Sequence, residues 1–366
     1  MLSLLSDFRK LDRVILGVLL LLFLFGLVAL FSASYQRQVS TGKNFVLNQG
    51  LWIILGMILA VLIARTSYHS FLSVSYVIFG MHIFFLILVL IMGKTALGAQ
   101  RWISIGGIGF QPSEFVKVFT VLALARMIGD NPSCLKTKRG LIGPFLIVLL
   151  PMVLIFKQPD LGTAIVLLPV FLAMIWVGGI RLKYFMAIIL SGILSLPLFW
   201  IFLKEYQRDR LMVFINPNAD PLGAGYTINQ SKIAIGSGMF FGKGWLSGTQ
   251  NQLNFLPERH TDFIFSVVGE EWGFIGTTLM LGLFLLLVFR GLKIAELTKD
   301  VSGKLIAIGI TTMLAIHVII NIGMTLGLMP VVGMPLPFIS YGRSALTANL
   351  IAIGFLLNVQ MNRTVF

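Results

Sequence analysis

Four ionisable residues lie within five positions of the chain, and their types could perform acid–base or ionic chemistry. They are Glu258, Arg259, His260 and Asp262, and an apolar run begins directly after them with Phe263. The cluster therefore lies where a loop enters a membrane. Ionisable groups at that depth are costly unless they are paired or hydrated, so they indicate a functional site.

The carboxylate of Asp262 is the first candidate for chemistry. It could act as a general base, or it could hold a divalent cation such as Mg²⁺ or Mn²⁺. A structural role is the alternative, because Asp262 could pair with Arg259 or be favoured by the dipole at a helix N-terminus. If the helix begins near Glu258, then Glu258, Asp262 and Ser266 share one face, because residues four apart stack on a helix.

A second set of candidates precedes the fourth apolar run. Glu114 and Lys117 lie three residues apart, so they share a helical face and could pair. The spacing favours equally a buried ion pair that fixes helix packing and a direct role in chemistry. Ser113 follows Pro112 and is predicted to cap the N-terminus of this helix.

Three further polar residues lie in predicted loops. Arg101 stands beside Trp102 at a predicted membrane interface, where a guanidinium suits phosphate or carboxylate recognition but also serves as a simple anchor. Asp160 follows Pro159 and is either a site residue or the N-cap of the next helix. Arg210 contributes to the cationic character of a long loop, in which charges are usually only solvated.

The elements that must position these residues are membrane spans. The chain has 366 residues, of which 57% are hydrophobic and 11% charged, with a mean hydropathy of +0.94, whereas soluble domains carry about a quarter charged residues. Arg9, Lys10 and Arg13 precede an apolar run long enough to span a bilayer, so no cleavable signal is predicted. The single Cys134 excludes a disulfide framework. The net charge of +14 indicates basic cytoplasmic loops rather than nucleic-acid binding.

The apolar runs predict an all-α polytopic integral membrane protein with about ten transmembrane helices in a single domain, 1–366. The runs lie near residues 14–33, 46–64, 72–92, 113–128, 141–156, 162–179, 184–203, 263–289, 304–328 and 344–360. The excess of Lys and Arg in alternate loops predicts that both termini are cytoplasmic. One long loop, about 204–262, then lies outside the membrane between helices 7 and 8. It includes a turn-rich segment, 216–223, and we expect amphipathic or re-entrant helices in it.

Six motifs, taken in order along the chain, together resemble the SEDS family (shape, elongation, division and sporulation). They are Arg101-Trp102, Gln111 to Glu114 with Lys117, Gln158 to Thr163, Gly225 to Gly238, Pro257 to Phe265, and Pro335 to Gly342. The resemblance covers nearly the whole chain and is stronger to elongation members than to division members. The chain departs from the family pattern at Arg343, where small residues are usual.

The resemblance implies a peptidoglycan glycosyltransferase that polymerises lipid II outside the cytoplasmic (inner) membrane, for cell elongation and rod shape. It also implies a class B penicillin-binding protein, a transpeptidase, as partner, besides other elongation-complex membrane proteins and membrane lipids. Asp262 matches the catalytic aspartate of the family. The substrate-binding candidates are Arg101, Glu114, Lys117, Asp160, Arg210, Glu258, Arg259 and His260. The leaving pyrophosphate needs positive charge, from Arg101, Lys117 and Arg210 or from a divalent ion.

A transporter is the main alternative function. If the chain were a flippase for a lipid-linked precursor, we would expect a polar path through the bilayer centre and usually an inverted repeat. No repeat is evident in the sequence, and the pair Glu270 and Glu271, in the eighth span, is the main support for this hypothesis. A division-specific paralogue and a scaffold for wall-synthesis partners are two further hypotheses.

Overall fold

The computed structural model describes residues 12–96, 99–105, 108–216, 223 and 225–362. Arg9 and Lys10, which precede the first predicted span, lie outside the described residues. Most of the turn-rich segment 216–223 lies outside them as well.

A helix covers each of the ten predicted spans. These helices are α1 (Arg13–Thr41), α2 (Phe45–Arg65), α3 (Tyr68–Met92), α4 (Pro112–Asp130), α5 (Ile142–Lys157), α6 (Leu161–Val177), α7 (Leu182–Phe202), α11 (Ile264–Leu297), α12 (Val301–Thr325) and α13 (Arg343–Asn362). Seven of the described helices are long and apolar enough to cross a membrane, and α5 and α6 are apolar but shorter. The predicted class of helical membrane protein is confirmed.

Two loops contain structure that the pattern of apolar runs does not reveal. Between α3 and α4, three short antiparallel strands form a sheet in the order β1 (Lys94–Ala96), β2 (Ala99–Ile105) and β3 (Ile108–Phe110). The β-branched and aromatic residues of β2 favour extended backbone. The long loop after α7 contains α8 (Glu205–Ile215), α9 (Tyr226–Ser237) and α10 (Thr249–Gln252), in agreement with the expectation of helices there.

The helix α1 is longer than predicted and reaches the cluster around Asp262. It ends at Thr41, where Gly42 adopts a left-handed φ of 67° and donates its N–H to the carbonyl of Gln38. At its other end, the Asp12 side chain accepts a hydrogen bond from the backbone N–H of Val14 and pairs with Arg290 of α11 at 2.6 Å. The first and eighth spans are therefore joined at the end opposite to Asp262.

The helix α11 begins at Ile264, so the prediction that a helix starts near Glu258 is wrong. Glu258 has a left-handed φ of 47°, and its carbonyl accepts hydrogen bonds from the N–H groups of Thr261 and Asp262 in a tight turn. Glu258, Asp262 and Ser266 consequently do not share a helical face. Ser266 instead contacts α9, because its Oγ lies 2.6 Å from the Oγ of Ser231.

The helix α11 is interrupted at Gly273, whose φ of 63° and ψ of −156° are accessible essentially only to glycine. The backbone of the long loop forms hydrogen bonds with the backbone of the helix on both sides of this interruption. The N–H of Lys243 donates to the carbonyl of Glu270 at 3.0 Å, and the N–H of Phe274 donates to the carbonyl of Met239 at 3.0 Å. The loop is thereby attached to the helix that follows Asp262.

The carboxylates of Glu270 and Glu271 are buried and face protein. Glu270 accepts hydrogen bonds from the Nζ of Lys243 at 2.9 Å and from N–H groups at the start of α10. Glu271 accepts from the hydroxyl of Ser32 and from the side-chain amide of Asn251. Both acids therefore hold the long loop against the helices.

Candidate active site

Asp262 lies in the turn directly before α11 and is half-buried. Its backbone carbonyl accepts a hydrogen bond from the amide of Asn321 on α12 at 2.9 Å, and the same amide donates to the carbonyl of Met334 at 2.6 Å. The hydroxyl of Ser340 donates to the carbonyl of Thr261. A helix and the loop before α13 therefore fix the position of this turn.

The surroundings of Asp262 raise the pKa of its carboxyl to about 7. Burial is the largest cause and the negative charge of Glu258 is the next, whereas Arg210 and Arg101 act in the opposite direction. None of the described residues donates a hydrogen bond to this carboxylate. A carboxylate of near-neutral pKa with free lone pairs is suited to accept a proton at physiological pH.

Arg101 and Asp160 meet on one side of Asp262. The guanidinium of Arg101, on β2, lies 3.7 Å from the carboxylate of Asp160 and also donates to the carbonyl of Pro159. Asp160 caps α6 by accepting from the N–H of Thr163, so its predicted capping role is confirmed. The prediction that Ser113 caps α4 is wrong, because the helix begins at Pro112 and its N-cap is Gln111. The hydroxyl of Ser113 donates to the carboxylate of Asp160 at 3.2 Å instead.

Arg210 approaches the same region from α8. Its guanidinium donates to the carbonyl of Val331 at 3.1 Å and lies 5.7 Å from the centre of the Tyr206 ring. The hydroxyl of Tyr206 donates to the carbonyl of Pro159 at 3.2 Å. The positive charges of Arg101 and Arg210 both act on Asp262, so the structure brings these three predicted site residues together.

An apolar groove of about 840 Å³ extends from these two arginines. Its walls come from α5, α6, α7 and α8, and α7 contributes no buried residue to the fold. The apolar side chains of the walls include Phe156, Ile165, Leu168, Phe199 and Trp200. The groove therefore combines a long apolar surface with a cationic end formed by Arg101, Lys157 and Arg210.

Glu114 and Lys117 form a buried ion pair on α4, and Lys117 also contacts His317 of α12. The Nζ of Lys117 is 2.9 Å from the carboxylate of Glu114 and 2.7 Å from the Nε2 of His317. His317 donates through Nδ1 to the carbonyl of Met313, which leaves Nε2 to accept from Lys117. Because the charge of Lys117 is neutralised in place, this pair is suited to fix the packing of α12, which also carries Asn321.

Arg259 and His260 point away from Asp262 and towards α1. The Nε of Arg259 donates to the carbonyl of Ala33 at 2.9 Å, and Arg37 donates to the Nε2 of His260 at 3.1 Å. Burial lowers the pKa of His260 to about 4, so its imidazole is neutral at physiological pH. The alternative in which Arg259 pairs with Asp262 is not what the structure shows, since the charges acting on Asp262 come from other residues.

Three residues at the site were not singled out from the sequence. The first is Tyr206, which lies four residues before the predicted site residue Arg210 on α8, a spacing that predicts their proximity. Asn321 is a polar residue within an otherwise apolar span, which is itself a signal of a buried contact. Arg37 lies beyond the predicted end of the first span, so its contact with His260 depends on the extra turns of α1.

Known proteins resemble this chain over nearly all of its length. The family model FTSW_RODA_SPOVE, described as a cell cycle protein, matches residues 12–365. The peptidoglycan glycosyltransferase MrdB of Escherichia coli is 38% identical over 98% of this chain and 95% of that protein. The peptidoglycan glycosyltransferase RodA of Treponema pallidum is 34% identical over 97% and 98%.

A solved structure shows the same fold. The matching chain comes from a peptidoglycan synthase complex that coordinates polymerization and crosslinking. The TM-score is 0.83 at 32% identity, and the match covers 97% of this chain and 98% of the other. The chain therefore belongs to the FtsW, RodA and SpoVE family of cell cycle proteins, in agreement with the resemblance of its six motifs.

Proposed function

We propose that this chain is a peptidoglycan glycosyltransferase that polymerises lipid II into glycan strands, with Asp262 as its general base. The observation that carries the proposal is the carboxylate of Asp262, which has a near-neutral pKa and interacts electrostatically with two arginines that line an apolar groove. The names of the relatives in Escherichia coli and Treponema pallidum support the same activity.

The reaction joins two lipid-linked saccharides. A hydroxyl oxygen of one bonds to the anomeric carbon of the other, and the bond from that carbon to the pyrophosphate breaks, with its electron pair leaving on the pyrophosphate. Asp262 takes the proton of the attacking hydroxyl. A positioned base of this kind contributes about 10² to 10⁴-fold to the rate.

Arg101 and Arg210 are the groups proposed to bind the leaving pyrophosphate. Guanidinium groups match phosphate oxygens with two parallel hydrogen bonds, and donors already in place stabilise the charge that develops on the leaving group. The apolar groove is the proposed binding site of the lipid tail, because its walls are formed by apolar helices, one of which has no buried residue. Lys117 is too deeply buried in its pair with Glu114 to take this role.

The divalent cation predicted from the sequence has no ready-made site in the part of the chain that the structure describes. There, no group of three or more His, Cys, Asp or Glu side chains is placed to hold a metal ion. Polymerisation measured with EDTA, and again after adding back Mg²⁺ or Mn²⁺, tests the requirement directly.

The proposed topology has both termini in the cytoplasm and Asp262 at the outer face of the cytoplasmic membrane. Exposed basic residues support it, because Lys136, Lys138 and Arg139 lie in one loop at the end of the helices opposite to Asp262. The partner is a class B penicillin-binding protein. A structural neighbour that belongs to a peptidoglycan synthase complex supports this pairing.

Two alternatives are weaker. A flippase needs a polar path through the membrane, yet Glu270 and Glu271, its main support, are bound to the long loop. An elongation role fits the relatives named MrdB and RodA, and relatives named FtsW, at 37% identity, keep a division-specific role as the alternative. Restoration of rod shape in cells depleted of their elongation polymerase distinguishes the two roles.

Purified protein, bound to its transpeptidase and given labelled lipid II, tests the activity. We expect glycan chains from the wild type and a loss of about two orders of magnitude or more for Asp262→Asn, in line with the loss of a general base. The variant keeps the size of the side chain, so its insertion and partner binding should be unchanged. Glycan synthesis by Asp262→Asn at nearly the wild-type rate would show that another group is the base.

A further inference from the structure

A second, polar pocket lies beside the same turn as Asp262. It has a volume of about 350 Å³ and is walled by one end of α1 and by the segment 254–260. Arg37, Glu258, Arg259 and His260 all line it, and none of them lines the apolar groove. The pocket and the groove therefore have separate linings and different chemistry.

The pocket contains two guanidinium groups that form no ion pair with a carboxylate of the described residues. Arg259 is 8% exposed and uses its Nε to bind the carbonyl of Ala33. Among the described residues, no carboxylate lies within ion-pair distance of Arg37 or Arg259, and Glu258 accepts instead from the hydroxyl of Thr261. Burial and the charge of Arg37 both lower the pKa of Arg259.

Such an arrangement is costly without an anion. Removing a cation from water and placing it near a like charge is unfavourable unless an opposite charge offsets it. The planar donors of arginine match the two oxygens of a carboxylate or phosphate. The neutral imidazole of His260, which accepts from Arg37, orients that guanidinium at the pocket wall.

We propose that this pocket is a substrate subsite in which Arg37 and Arg259 hold an oxyanion of a lipid-linked saccharide, either a carboxylate of its peptide or its phosphate. The inference rests on the proposed function. That reaction joins two lipid-linked saccharides, and the apolar groove is assigned to the lipid tail of only one of them. His260 and Asp262 are two positions apart, so their Cα atoms are within about 7 Å. The pocket thus lies next to the turn that carries the proposed base.

Arg37→Gln in the full chain, bound to its transpeptidase, tests the subsite. Arg37 is exposed, so its replacement leaves no buried void, and the thermal midpoint in detergent checks folding. We expect KM for lipid II to rise about tenfold, the size of a lost charge-assisted hydrogen bond, with kcat near the wild-type value. Lys43→Gln, which removes an exposed charge six residues away and outside the pocket lining, is the matched control and should leave KM unchanged.

Two forms of lipid II identify the oxyanion. If the rise in KM disappears when the peptide carboxylates of lipid II are amidated, the pocket binds a carboxylate. If the rise is the same for both forms, the pocket binds the phosphate. An unchanged KM in both, or an equal rise for Lys43→Gln, overturns the subsite. Lack of glycan synthesis by the wild type would instead count against the proposed function.

Discussion

Glu258→Gln should shift the pH dependence of polymerisation, because the charge of Glu258 is one cause of the raised pKa of Asp262. With that pKa at about 7, about a tenth of the carboxylates is ionised at pH 6 and about nine tenths at pH 8. A base acts only when ionised, so kcat/KM of the wild type should fall about tenfold between pH 8 and pH 6.

The sign of the shift follows from the charges. Burial and Glu258 disfavour the ionised form of Asp262 and move the acid limb of the rate profile upwards, so removal of the Glu258 charge moves it towards lower pH. A decrease of one pKa unit, worth about 1.4 kcal/mol, would raise the ionised fraction at pH 6 from about a tenth to about half. Activity at pH 6, relative to the plateau, should therefore rise about fivefold.

Initial rates with labelled lipid II, measured from pH 5.5 to pH 9 at constant ionic strength, provide the assay. Glu205→Gln is the matched control, because it removes an exposed carboxylate from α8 that is not among the charges acting on Asp262. Its profile should coincide with that of the wild type. An acid limb that stays in place in Glu258→Gln, or a wild-type limb near pH 4, would refute the electrostatic account of this site.

Three further predictions concern the framework. Glu114→Ala leaves its lysine partner buried without an opposite charge, at a cost of about 3–5 kcal/mol, so abundance and thermal midpoint should fall; normal abundance with lost activity would argue for a direct role. Gly273→Ala should lower the thermal midpoint, because an added Cβ would collide with the facing loop at a backbone conformation reserved for glycine, whereas Gly282→Ala on the same helix meets open space and should not. In a cysteine-free background, Lys43→Cys should react with an impermeant thiol reagent in whole cells and Lys138→Cys should not; the reverse pattern would invert the proposed topology.

The helices of this protein follow from its sequence alone. A bilayer requires about 20 apolar residues per helix, so the apolar runs locate the spans without knowledge of their neighbours. The pair Glu114 and Lys117 was equally predictable, because residues three apart on a helix are neighbours whatever surrounds them. The capping role of Asp160 is local in the same sense.

The active site was only partly predictable, because its contacts join distant segments. Ser113 reaches Asp160 across 47 positions, and Ser32 reaches Glu271 across 239. Ser113, which was expected to cap α4, therefore contacts a candidate site residue instead. Glu271, which suggested transport, anchors the long loop. Contacts of this range arise only when the helices pack.

The cluster around Asp262 shows the same limit at close range. Arg259, His260 and Asp262 lie within four positions of the chain, yet the turn at Glu258 directs the first two towards α1 and leaves Asp262 under the charges of Arg101 and Arg210. The residue types determined that this turn carries charge. Only the tertiary structure decided which charges meet and set the pKa of Asp262, because burial and through-space electrostatics depend on distance in the fold rather than along the chain.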